Sequence, residues 1–139
     1  VHDLHLHSYG YRKFFATAHC EVASATDLTE SHELADRIER DIARSMDISL
    51  VIHVDPVDTQ DPKSAQAFET VSGIVRGVSP EISVHDFRAV WGARHSKFIF
   101  DVVVPFDHDT SLSDLKKKID KRISEIYPLS KSFITFDRK

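Results

Sequence analysis

The tetrapeptide VHDL at residues 1–4 returns as VHDF at 84–87, and the likeness continues beyond those four residues. An internal repeat restricts the fold more than any single element, because both copies must satisfy one arrangement. The first tetrapeptide is followed by a turn and the alternating strand FFATAHCEV (14–22). The second is followed by a turn around Gly92 and the strand KFIFDVVVP (97–105). Each copy then carries a capped amphipathic helix. In the first, Asp27 and Glu30 have capping-box spacing, and Leu34, Ile38 and Ile42 recur once per turn. In the second, Ser111 and Asp114 open a helix bearing Leu115, Ile119 and Ile123. Each copy closes on a strand, ISLVIHVDP (48–56) and KSFITFD (131–137). Between the copies, Pro62 can begin a helix and Gly77 can end it, with Phe68, Val71, Val75 and Val78 on its apolar side.

This order predicts an α+β fold of two tandem domains, residues 1–57 and 58–139. Each is a small sandwich in which helices cover one face of a sheet, and the first lacks its opening helix. A period of about 80 residues is too long for a solenoid. The boundary falls near PVDTQDPK, with its two prolines and two aspartates. Units this small gain stability by pairing with a neighbour.

Composition narrows the function. A net charge of −4 with scattered basic residues leaves no electrostatic footprint for nucleic acid. A single cysteine, Cys20, excludes an internal disulfide and points to a reducing compartment. Apolar runs such as FIFDVVVPF are far shorter than the ~20 residues of a membrane helix. The chain has no initiator Met and opens inside a strand. It is therefore expected to be a piece of a longer protein, whose missing part could still cross a membrane.

Strand alternation decides which side chains meet. Phe14, Ala16, Ala18, Cys20 and Val22 form an apolar face, while Phe15, Thr17, His19 and Glu21 form the other. In the closing strand, Val51, His53 and Asp55 oppose Leu50, Ile52 and Val54. With a helix over the apolar faces, His19, His53 and Asp55 emerge together on the open face. Imidazole nitrogen and carboxylate oxygen suit zinc. Cys20 is expected in the core, and His5 and His7 at the surface. Strict alternation places His2 with Leu4 and Leu6, on the buried side away from His19.

The pattern VHDL…G…HCEV…ESHELADRIERDI…VIHVDP resembles the cytosolic C-terminal domain of the cation diffusion facilitators, transporters of zinc and other divalent metals. VHDFRAVWG…FIFDVVVP resembles a related domain that follows it in some bacterial members. The resemblance implies a ferredoxin-like (αββαβ) fold for both domains, on the cytoplasmic side of the cell membrane beneath a transmembrane domain absent from this chain. It implies a homodimer and a bound Zn2+ or another divalent transition metal. Its ligand positions fall on His2, His19, His32, His53 and Asp55, which requires His2 to sit at an irregular strand start.

Matching Phe14, Ala16 and Ala18 to Lys97, Ile99 and Asp101 puts Val102 at the place of His19. The place of His32 then falls to Ser113 and that of His53 to Thr135, leaving His85, Asp86 and Asp137. The second domain is therefore expected to be a structural or pairing module with its metal ligands mostly lost. An enzyme is not expected. HELAD begins like a zinc-hydrolase helix motif, but Asp36 stands where the second histidine is needed, and Gly10, Gly73, Gly77 and Gly92 are isolated. The function expected is regulation and dimerisation of a divalent-cation efflux transporter. The alternative is a metal-independent interaction scaffold, whose open faces would be apolar, as Val102 and Phe136 suggest.

Overall fold

The computed structural model of the protein describes residues 1–139 and divides into two compact units, Val1–Val57 and Asp58–Lys139. The first contains β1 (His2–Ser8), β2 (Phe14–Ala23), α1 (Leu28–Met46) and β3 (Ile48–Val57). The second contains α2 (Pro62–Val78), β4 (Ser83–Trp91), β5 (Ser96–Val104), α3 (Leu112–Ile126) and β6 (Ser130–Arg138). The sheets have the orders β1-β2-β3 and β4-β5-β6. In each, the first two strands are antiparallel, and the third runs parallel to the second after a helical connection. These are two tandem ferredoxin-like α+β units, the first without the helix that opens the second.

Local chemistry sets the helix ends. The Asp27 carboxylate accepts from the Thr29 N–H at 2.8 Å and the Glu30 N–H at 3.4 Å, satisfying donors at the start of α1. Asp61 does the same for Lys63 N–H at 3.0 Å, ahead of Pro62 in the first turn of α2. That helix ends at Val78, one residue past Gly77. At α3, the Ser111 hydroxyl accepts from the Asp114 N–H and donates to the Asp114 carboxylate.

The two units bury different amounts of apolar side chain. In the second, Val71 and Val75 of α2 and Leu115, Ile119 and Ile123 of α3 close over Phe98, Phe100, Val102 and Val104 of β5. Trp91 meets Phe98 edge-on at 5.5 Å between centroids and donates its Nε1–H to Ser64 Oγ at 2.9 Å. In the first unit one helix covers the sheet, and its buried apolar residues are small: Ala16, Ala18, Ala35 and Val57. Leu4 and Leu6, expected on a buried side, are 67% and 58% exposed because no helix covers β1. Cys20 is half-buried rather than sealed in a core.

Both sheets carry the same irregularity. The pairing register shifts between His2 and His5 in one and between His85 and Arg88 in the other. Asp3 and Asp86, the second residues of the repeated HD dipeptides, have φ of 53° and 48°. Each is a β-bulge, in which an extra residue with left-handed backbone reorients the strand. The bulge corrects the face assigned to His2, which leaves the side of Leu6 and pairs across from His19.

The register also corrects two counterparts. His2, His19 and His53 lie abreast in the first sheet, as His85, Asp101 and Thr135 do in the second. The place of His19 is therefore Asp101, not Val102, which is fully buried on the helix-facing side. The first hairpin loop spans residues 9–13 and the second 92–95, one residue fewer. That single deletion turns the whole following strand over relative to an ungapped match. Counting from the caps Asp27 and Ser111, the place of His32 is Lys116, not Ser113.

A left-handed backbone strains any residue with a branched Cβ. Asp86→Val should lower the unfolding free energy by about 1–2 kcal/mol, while Asp86→Gly should leave it nearly unchanged. Urea denaturation of the two variants beside the wild type checks this.

Candidate metal centre

The open face of the first sheet is built from odd-numbered residues. Register sets His19 beside His53 and Glu21 beside Asp55, and the bulge adds His2 from β1. The His2 and His19 rings are 5.2 Å apart between centroids, and His19 and His53 are 4.8 Å apart.

These side chains converge on Asp55. His19 Nδ1 lies 2.9 Å from Asp55 Oδ2, and His2 Nε2 lies 3.2 Å from the same oxygen. His53 Nε2 stands 3.4 Å from Asp55 Oδ1. The Asp55 side chain is 2% exposed, although His53 above it remains mostly exposed. Burying a carboxylate is costly unless a positive group or a set of hydrogen bonds compensates it. No Lys or Arg comes from the first sheet's ligand strands, since Arg12 and Lys13 belong to the hairpin loop. The three imidazoles around it contribute to that compensation.

An outer ring of carboxylates backs this cluster. Glu21 Oε1 is 3.1 Å from His2 Nδ1. Asp3 lies between two rings, with Oδ1 2.9 Å from His5 Nε2 and Oδ2 3.6 Å from His19 Nε2. His7 stacks beside His5 at 6.4 Å between centroids, farther out.

Of the residues singled out by sequence, His2, His19 and Asp55 come together: one ligand atom from each lies within 4.8 Å of the others. His53 touches Asp55 from the side. His32 is not brought in, because it sits exposed on α1, which covers the opposite face of the sheet. The backing carboxylates Asp3 and Glu21 were not singled out. Their signal was present, since Glu21 follows His19 by two residues on the same face.

The pKa of His2 is lowered from the ordinary value of 6.5, chiefly by burial, although Glu21 and Asp55 pull the other way. A lowered pKa keeps the ring neutral, the form that can offer a lone pair to a metal. In the second unit the corresponding face carries Asp101, Thr135 and Asp137 beside His85, whose Nε2 lies 3.0 Å from Ser83 Oγ.

Residues 1–57 match the family model described as the cytoplasmic domain of cation efflux proteins. The match spans the whole of the first unit, which is thus similar to the cytoplasmic domains of cation efflux proteins. No curated protein matches the chain. No helix is long and apolar enough to cross a membrane.

The His2 shift predicts how metal-free stability depends on pH. The unfolded chain takes up this proton near pH 6.5, and the folded protein does so only at lower pH. Folding then opposes protonation, so the contribution is neutral above pH 6.5 and destabilising as pH falls below it. The urea midpoint of the metal-free protein should drop between about pH 6.5 and 5 more steeply than that of His2→Gln. Parallel pH profiles for the two proteins would contradict this.

Proposed function

We propose that this chain is the cytoplasmic regulatory and pairing region of a divalent-cation efflux transporter, and that its first unit binds zinc or a similar transition metal. The observation that carries the metal reading is the approach of His2 Nε2 and His19 Nδ1 to one oxygen of a buried carboxylate, at 3.2 and 2.9 Å. Ligand atoms about 2.0–2.1 Å from a tetrahedral zinc stand roughly 3.3 Å from one another. Two of the three edges, at 3.2 and 2.9 Å, are already close to that spacing, and all three ligand atoms lie within 4.8 Å of one another. The fourth corner goes to water or to His53, whose exposed ring can turn toward it. Two imidazoles and one carboxylate are borderline donors that suit zinc, while hard ions such as magnesium favour oxygen alone.

The family's role in dimerisation supplies the functional consequence. An ion that binds one pairing geometry better than another shifts the population toward it by no more than its differential affinity. Neutralising the buried Asp55 charge is the local event, and closer pairing of two copies beneath the membrane is the readout. Nothing in the donor set calls for catalysis: the carboxylates nearest the cluster, Glu21 and Asp3, are engaged by His2 and His5.

The test is calorimetric titration of zinc into the chain near pH 7.5, beside His19→Ala and Asp55→Ala, with solution mass measured by light scattering with and without the ion. Binding at roughly micromolar or tighter affinity is expected, weaker by at least about 100-fold in either variant and weaker again near pH 5.5 as the imidazoles protonate. A wild-type chain that pairs but takes up no zinc would overturn the metal reading and leave a metal-independent scaffold.

A further inference from the structure

The ligand set leaves a chemical question: which ring nitrogen of His2 carries its proton. A neutral imidazole has one N–H and one lone pair, and an ionised carboxylate can only accept. Glu21 Oε1 stands 3.1 Å from His2 Nδ1, and both side chains are mostly shielded, with 15% and 8% of their surface exposed. The contact is a hydrogen bond only if Nδ1 holds the proton and donates it to Glu21. The lone pair is then on Nε2, and Nε2 is the atom that faces Asp55 Oδ2 at 3.2 Å. Two acceptors aimed at one another across that gap repel, and an ion between them removes the repulsion.

We infer that Glu21 is a positioning residue: it holds His2 in the Nδ1–H tautomer, so that Nε2 is presented to the metal. The inference rests on the metal reading above for its purpose, though not for the tautomer itself. A carboxylate behind a ligating histidine fixes ring orientation and raises ligand basicity, and its loss typically costs 10–100-fold in metal affinity.

The internal repeat provides a control within the same chain. Glu21 lies beside Asp55 in the first sheet, and Val103 lies beside Asp137 in the second. With valine at that place, His85 has no carboxylate at the position of Glu21, pairs across from Asp101, is exposed, and its Nε2 faces Ser83 Oγ. The backing carboxylate and the inward-facing imidazole are thus found together in one copy and are both missing from the other. Asp3 has a weaker case at His19, since 3.6 Å is beyond hydrogen-bond reach and His5 holds its other oxygen.

The experiment is nitrogen-resolved NMR of the histidine rings in the metal-free protein near pH 8, for wild type, Glu21→Gln and Glu21→Ala, followed by zinc titration of each. His2 should be the Nδ1–H tautomer in wild type and in Glu21→Gln, whose side-chain carbonyl still accepts. In Glu21→Ala it should shift toward Nε2–H. Zinc affinity should fall about 10–100-fold in Glu21→Ala and less in Glu21→Gln. An Nε2–H ring in the wild type would overturn the inference even if zinc binds. So would Glu21→Ala binding zinc as tightly as wild type. If no protein binds zinc, the metal reading fails, and the tautomer in the metal-free rings still decides whether Glu21 sets it.

Discussion

The Asp55 carboxylate is 2% exposed on a sheet face that no helix covers. It is hidden by imidazoles, and most features of the first unit bear on that fact. A buried carboxylate without a permanent cation is tolerable when other groups compensate it, and here three histidines stand against it. The lowered pKa of His2 sharpens the requirement, since a neutral ring compensates less than a charged one. On the proposed metal reading, a divalent ion would satisfy the carboxylate and the Nε2 lone pair of His2 at once, taking the place of the His19 proton on Asp55.

The bulge at the HD dipeptide makes that geometry accessible. In an unbroken strand His2 would lie with Leu6, on the side facing α1. The left-handed backbone at Asp3 inserts one residue and turns His2 across, so that it faces His19. The second unit repeats the bulge at Asp86 without the cluster. The device therefore belongs to the fold, and the metal-competent residues are a use made of it. Of the three abreast positions, the second unit keeps a histidine, exchanges a histidine for Asp101 and a histidine for Thr135.

Much of this was legible in the sequence for definite reasons. The repeat fixed the order of elements, and the caps at Asp27, Asp61 and Ser111 marked where helices begin, because short polar side chains there satisfy backbone donors. Alternation placed His19, His53 and Asp55 on one face. It failed at His2 because a bulge changes the period without changing composition. It failed again at Val102, because a hairpin shortened by one residue reverses every face beyond it. Glu21 was visible as a neighbour of His19, yet its role depends on an angle and a distance that spacing does not carry. His32 was carried over by resemblance to a family motif, and the fold leaves it on the helix side of the sheet.

The packing of the two units gives the metal reading a thermodynamic side. The large apolar side chains buried almost completely, from Val71 to Ile123, all belong to the second unit; in the first, the comparably buried large side chain is Asp55. The first unit thus has small alanines where the second has Phe98 and Phe100, and exposed Leu4 and Leu6 where the second has Phe87 and Ala89 packed in its core. A domain of that size with a thin core has little stability to spare. Ligands that bind only the folded state add to its stability by mass action, and metal sites couple binding to order because the unfolded chain does not hold their geometry. An ion at Asp55 would therefore firm the arrangement of β1, β2 and β3 that presents its own ligands. In the second unit order comes from apolar packing, so on the proposed reading the two copies of one fold would divide the work between a responsive face and a permanently packed one.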